Sequence, residues 1–395
     1  MKILYVLTGD IYQNTSGNIR NAALITGLNA IGHEVITICI SSGKKADERI
    51  KKIIDSSTKV HIVGQEEVSN SLFSTTGSVK KIRKLLKRML LKTYNHFQIY
   101  DPYKRRIKLF NKNNYIFPIF DVVISSSDPR SSHLFAQKIM KECGISVPWL
   151  QYWGDPMAND VSANSIMKLF IANKEKKLIS MGDKIIYTNP LTVNHMRKTY
   201  PQLSEKIRWI PTSYVISQDS EVHDTKINQE LVLGYFGDYV ATYRDIRPLV
   251  EAVHKEKRQL IICGSGDANI ESNDYITVYK RLSLDEMLIK QAQCDVFVVI
   301  ENKPRYDKNS NNLCIQVPGK LYHYALSDKY VLVVCETQGI RDNYDRYGRY
   351  IFCNNNAESI AIAIKDIENG KYLETRHYSD EFSPESVANE FLSQV

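Results

Sequence analysis

Short, largely apolar runs alternate with helical periods along the chain, and that pattern leaves few folds open. In the first half, residues 2–7, 34–40, 121–124, 149–153, 183–187 and 207–210 read as strands. Residues 17–31, 131–141 and 192–199 read as helices between them, the first with Ile19, Ala22, Ala23, Ile25 and Leu28 available for burial. In the second half the strands fall at 231–236, 260–263, 276–278, 296–300, 331–334 and 351–353. The helices there fall at 246–255, 284–292 and 357–368. Alternation of this kind specifies parallel sheets with helices on both faces. A continuous β-branched run such as 331–334 belongs to a strand covered on both sides.

The two alternations are separated by residues 216–229, which are polar and lack an apolar period. At 395 residues the chain exceeds one ordinary core and fits two. The expected domains are 1–215 and 230–375, joined by the 216–229 linker. Residues 376–395 follow as a C-terminal helix with Pro384 in its first turn. Two doubly wound domains bind ligands at the C-terminal edges of their strands, and the expected site is a cleft between them.

Composition narrows the class further. No run of 18 apolar residues occurs, so no membrane-spanning helix is expected. Met1 to Leu7 reads as a first strand and not as a leader, because Asp10 follows directly and no small-x-small cleavage site appears. The seven cysteines are odd in number and form no Cys-x-x-Cys. Reduced thiols, a cytoplasmic location and no metal site are the expectation. Charge is uneven. Residues 79–112 hold twelve Lys or Arg against Asp101 alone, a segment of +11 in a chain of +8. Residues 82, 85, 86, 89 and 90 are apolar, which makes 79–92 a basic amphipathic helix. Lys80, Lys81, Arg83, Lys84, Lys87 and Arg88 suit an anionic membrane surface. Base-stacking aromatics are missing from that helix, and no nucleic-acid partner is expected.

Several loops carry chemistry. Val317-Pro318-Gly319 is a turn that opens a short helix at Lys320. Free N–H groups at a helix start and a lysine in the first turn suit a phosphate. Gly9 and Gly17 bracket the loop after the first strand, which lacks Gly-x-Gly-x-x-Gly and so excludes a dinucleotide fingerprint. Gly17 permits close approach of a ligand phosphate. Ser125 to His133 forms a polar lip that includes Arg130 and Ser132. Asp155-Pro156 closes the 149–153 strand. Gly234 to Gly237 and then Arg244 open the second alternation, and Gly264-Ser265-Gly266 follows its second strand. Arg244 has the planar fork that clamps a diphosphate.

The 317–334 segment resembles the nucleotide-sugar-binding element of GT-B glycosyltransferases, Pro-x-Lys-φ-x-Glu-Tyr-φ-x-x-Gly-x-Pro-φ-φ, where φ is apolar. Pro318, Lys320, Leu321 and Tyr324 match, while His323, Asp328 and Tyr330 stand where that pattern has Glu, Gly and Pro. Ser127 to His133 and Pro148 to Met157 are similar to stretches of the retaining family-four enzymes, with Gly154 and Met157 departing. The resemblance implies two Rossmann-like domains and a C-terminal helix that crosses back onto the first. It implies sugar transfer, with retention, from a nucleotide sugar (UDP-linked) to a saccharide or polyprenyl-linked acceptor in cell-surface polysaccharide synthesis. No metal and no cofactor beyond the nucleotide-sugar co-substrate are implied. Asp155, Arg244 and Lys320 take the catalytic positions. Gly17, Gly237, Gly264, Gly266, Gly319, His323 and Glu301 take the donor side, with Glu301 a substitute for the missing ribose-binding Glu. Arg130 and Ser132 take the acceptor side. The implied location is cytoplasmic, peripheral on the inner membrane face. Two other classes share the pattern: a nucleotide-sugar epimerase, which needs no acceptor, and a non-catalytic sugar-nucleotide-binding protein.

Overall fold

The computed structural model describes residues 1–64, 99–127, 129–158, 168–215, 230–302 and 317–395. The basic helix expected at 79–92, with Lys80, Lys81, Arg83, Lys84, Lys87 and Arg88, lies outside them, as does the 216–229 linker. The described chain forms two units, Met1–Pro211 with Pro384–Val395, and Thr212–Ser383.

Unit 1 contains seven strands: β1 (Lys2–Val6), β2 (Glu34–Ile40), β3 (Lys59–Val63), β4 (Val122–Ser126), β5 (Trp149–Trp153), β6 (Lys184–Tyr187) and β7 (Ile207–Trp209). They form one parallel sheet in the order β3-β2-β1-β4-β5-β6-β7. Residues 3–6 of β1 and all of β4 and β5 are buried, as expected of strands covered on both faces. The helices are α1 (Ser16–Ala30), α2 (Glu48–Ser57), α3 (Ser132–Cys143), α4 (Lys168–Ser180) and α5 (Pro190–Thr199). Their starts follow local chemistry. Thr15, Asp47 and Asn189 accept from the N–H groups of Asn18, Ile50 and Thr192. Pro190 occupies the first helical position of α5, where a missing N–H costs nothing.

Unit 2 contains β8 (Val232–Phe236), β9 (Gln259–Cys263), β10 (Ile276–Tyr279), β11 (Val296–Ile300), β12 (Tyr330–Val334) and β13 (Tyr350–Cys353). This sheet is also parallel, in the order β10-β9-β8-β11-β12-β13. Its helices are α6 (Arg247–Glu256), α7 (Leu284–Ala292), α8 (Lys320–Ala325), α9 (Gln338–Tyr344) and α10 (Ala357–Glu368). One face of the sheet packs on α6 and α10 through Leu249, Val253, Ile360 and Ile364. The capping box of α7 is complete: Ser283 accepts from Glu286 N, and the Glu286 carboxylate accepts from Ser283 N.

The last helix, α11 (Pro384–Leu392), belongs to unit 1. It lies along α1, where Gly27 faces the Pro384 backbone so closely that any β-carbon would collide with it. Val387, Ala388 and Phe391 are buried, and the Phe391 ring meets Tyr152 edge-on at 5.1 Å. This is the expected crossing back of the C-terminal helix. Among the described residues no helix is long and apolar enough to span a membrane.

Candidate functional site

In unit 2 the order of the sheet reverses between β8 and β11, so the loops that leave these neighbours diverge. Such a switch point is where open α/β sheets bind ligands. Gly237 and Asp238 follow β8, and Glu301 and Asn302 follow β11. Arg244 spans the two loops. Its Nε and Nη2 donate to Asn302 Oδ1 at 3.0 and 2.6 Å, and its Nη1 donates to the Asp238 carbonyl at 3.1 Å.

The next loop adds a second guanidinium. Arg281, beyond the end of β10, donates from Nε and Nη2 to the Asp238 carboxylate. The same carboxylate accepts from Ser265 N at 3.1 Å. Asp238 is held below the usual carboxylate range, first by its bond to Arg281.

Lys320 approaches from α8. A β-carbon on Gly237 would lie 2.6 Å from Lys320 Nζ, so the missing side chain is what admits the ammonium. Burial, then the nearby Arg244, pushes Lys320 down to about 8, with Asp238 pulling the other way and Arg281 adding to the depression. Arg281 and Lys320 therefore act on the Asp238 carboxylate, while Arg244 holds the same residue by its carbonyl. α8 has only six residues, so its main electrostatic contribution is the Lys320 charge and not its dipole.

The glycines expected on the donor side have packing duties. A β-carbon on Gly264 would strike the Gly237 carbonyl, and one on Gly266 would strike Tyr239. One on Gly319 would lie 2.8 Å from Tyr214 Oη. The same Tyr214 ring stacks on His323 at 4.6 Å and 10°. Burial, then Lys320, lowers His323 to about 4, so the imidazole is neutral near pH 7. Glu301 is 5% exposed; its Oε1 accepts from Glu336 N at 2.5 Å and Thr337 N at 3.2 Å, beside the start of α9. Its Oε2 is buried and accepts from no group among the described residues. Burial raises the Glu301 pKa.

In unit 1 the order reverses between β1 and β4, and there the loops close on each other. Thr8 N donates to Ser132 Oγ at 3.0 Å, and Ser132 Oγ donates to the Pro129 carbonyl at 2.6 Å. A β-carbon on Gly9 would lie 2.8 Å from Pro129 Cδ. Ser132 is fully buried in this contact. Its hydroxyl, expected from the sequence on the acceptor side, ties two loops together. Gly17 is buried in the first turn of α1. Asp155 is half-buried in the turn after β5. That turn is held by Gly154 N donating to Ser127 Oγ at 2.9 Å and by Met157 N donating to the Glu175 carboxylate. Glu175 is buried and raised by that burial, with Tyr200, Met157, Ala158 and Arg130 opposing the rise.

The structure thus brings Arg244, Lys320, Gly237 and Gly264 into one cluster within unit 2 and places Asp155, Arg130, Ser132 and Gly17 in unit 1. Sequence reasoning missed Arg281, Asp238, Tyr214 and Glu175 as members of these clusters. Arg281 had one usable signal, a basic residue directly past a strand end on the ligand edge of the sheet. Glu175 had none, since it lies inside a helix. No cluster of His, Cys, Asp and Glu among the described residues is arranged to hold a metal ion.

No protein-family model matches the chain. No curated protein matches it by sequence. Solved structures do match it along their whole length. The galactosyltransferase WaaB of the lipopolysaccharide outer core, in its apo form, is 14% identical, with all of both chains covered and a TM-score of 0.54. Anabaena HepE in complex with UDP and glucose is 10% identical over 100% of this chain and 97% of that one, with a TM-score of 0.54. The fold is GT-B. The UDP-GlcNAc 2-epimerase of Neisseria meningitidis, bound to UDP-GlcNAc, is also similar, at 10% identity over 100% and 99% of the chains and a TM-score of 0.51. GT-B architecture therefore spans transferases and epimerases, and function has to be argued from the site.

Proposed function

We propose that this chain is a glycosyltransferase whose unit 2 binds the diphosphate of a nucleotide-sugar donor. The observation that carries this reading is the cation excess at the switch point of the second sheet, with Lys320, Arg244 and Arg281 around Asp238. A diphosphate placed there meets one compact ammonium and two planar guanidinium groups. As the bond from the sugar to the diphosphate breaks, negative charge grows on the leaving oxygen. Cations fixed in advance stabilise that charge without reorganising. Neutral His323 offers one donor and one acceptor, and Glu301 Oε2 is an acceptor with no partner among the described residues. These two groups are the candidates for the ribose hydroxyls.

Uridine is the first base to test, because HepE and the Neisseria epimerase were solved with UDP or UDP-GlcNAc. Retention of configuration, a hexosyl or acetylhexosaminyl donor and a saccharide or lipid-linked acceptor in cell-surface polysaccharide synthesis are supported by the Pro-x-Lys and Asp-Pro resemblances. In this reading the leaving phosphate takes the acceptor's proton on the same face, and Asp155 with Arg130 serves the sugar and acceptor side. The basic 79–112 segment supports a peripheral position on the cytoplasmic membrane face.

A thermal-shift screen across nucleoside diphosphates and nucleotide sugars tests the reading, since a ligand that binds only the folded state raises the midpoint. We expect one base family to stabilise the protein. Lys320→Ala and Arg244→Ala should each weaken its binding by about 10- to 100-fold, the worth of a charged hydrogen bond, while leaving the unliganded protein folded. Normal affinity in both variants would sink the diphosphate assignment. Conversion of the donor sugar with no acceptor present would argue for an epimerase instead.

A further inference from the structure

Asp238 is out of place in a site for anions. Its carboxylate faces the loops that carry the cations, accepts from Ser265 N, and pairs with Arg281. The pair is open to solvent, with 75% of the Arg281 side chain and 38% of the Asp238 side chain exposed. A surface ion pair of this kind adds little stability, so its place in the fold does not explain it. Its effect on charge is larger. Of the four groups on this side of the site, Lys320, Arg244 and Arg281 supply three positive charges and Asp238 removes one, which leaves two for the diphosphate.

Two is the charge of an intact nucleoside diphosphate sugar, whose diphosphate is a diester. Once the sugar has left, the terminal phosphate is a monoester and carries about one further negative charge near neutral pH. A site of three positive charges would hold the spent diphosphate harder than the donor. We infer that Asp238 is a specificity residue that matches the site to the intact donor and weakens its hold on the product. The inference rests on the anion-site reading above and adds to it the sign and size of the discrimination. Ser265 N–H is satisfied by either Asp or Asn, so replacing the charge need not disturb the loop.

The test needs no knowledge of the base. Inorganic pyrophosphate and P1,P2-dimethyl diphosphate present the same two phosphates, and differ by about one charge at neutral pH. Their affinities for the full chain are measured by calorimetry at low ionic strength, where exposed charges are least screened. In Asp238→Asn the preference for pyrophosphate over the diester should rise about tenfold, the effect of one charge at a few ångströms in a partly solvated site. In Arg281→Met it should fall by a similar factor. Asp238→Glu, which keeps the charge, should restore the wild-type ratio. An unchanged ratio in Asp238→Asn, or variants at 238 and 281 that move it the same way, would overturn the role of Asp238. If Asp238→Asn does not fold, the exposed Arg281→Met decides alone, and an unchanged ratio there overturns the inference. Wild-type protein that binds neither probe would overturn the anion site itself, which is a separate outcome from binding both with a fixed ratio.

Discussion

Lys320 is an ammonium packed against a glycine, and its charge is conditional on pH. Burial and two guanidinium neighbours bring it to about 8, so it begins to lose its proton within the range where most enzymes are assayed. The groups around it do not share this behaviour. The bond between Arg281 and Asp238 raises the first and lowers the second, so both keep their charges, and His323, at about 4, stays neutral. Diphosphate affinity is therefore expected to be level from pH 6 to 7.5. It should then fall as pH rises through about 8, by up to about tenfold per unit, because binding then requires uptake of a proton. Lys320→Arg keeps a charge at all these values and should flatten the profile; titration of P1,P2-dimethyl diphosphate binding from pH 6 to 9.5, over which the diester's own charge is constant, checks both. Stability runs with the opposite sign, rising as pH passes about 8 and the buried ammonium loses its proton. Lys320 is destabilising while charged and buried, so its variant Lys320→Met should gain stability below pH 8 as it loses binding.

Between elements, one contact dominates the packing of unit 1. Gly27 lets α11 lie directly on α1, with the Pro384 backbone where a side chain would be. Gly27→Ala must push the helices apart, and overpacking of this kind costs about 1–3 kcal/mol. Urea unfolding of the full chain should show that loss, while Gly32→Ala, at a φ of 89°, reports backbone strain with nothing nearby to clash. Most elements were legible in the sequence because buried parallel strands are apolar throughout. Residues 34–40, 149–153 and 296–300 were read to the residue. α2 and β3 were not read at all. β3 is a half-buried edge strand with Lys59 and His61, and α2 shows its core only Ile50, Ile54 and Ser57 among charged neighbours. The site was legible in part for a related reason. Lys320 opens a helix directly after the Pro318-Gly319 turn and Arg244 lies in the loop that follows β8, where a basic residue stands out. The Asp238–Arg281 pair joins positions 43 apart, which no local pattern reveals. The bonds of Ser132 were not legible either, because a serine at a loop-helix junction looks the same in sequence whether it faces outward or, as here, bonds across two loops.

For the molecule as a whole, charge is concentrated before β4, where residues 79–112 carry +11. If that segment holds the protein on an anionic bilayer, each lysine near the surface contributes about 1 kcal/mol. Neutralising Lys80, Lys81, Lys84 and Lys87 to Gln should then remove most sedimentation with phosphatidylserine vesicles, and added salt should mimic the change. Unchanged sedimentation would assign those charges to another use. The return of α11 to unit 1 has a consequence in time. Unit 2 is one continuous stretch and has all its strands once residue 383 has been made, whereas unit 1 lacks its last helix until 384–395 follow. During synthesis the first-made domain is thus the last to be finished, and α1 must wait with its apolar flank uncovered while some 170 intervening residues emerge, at roughly 5–20 per second.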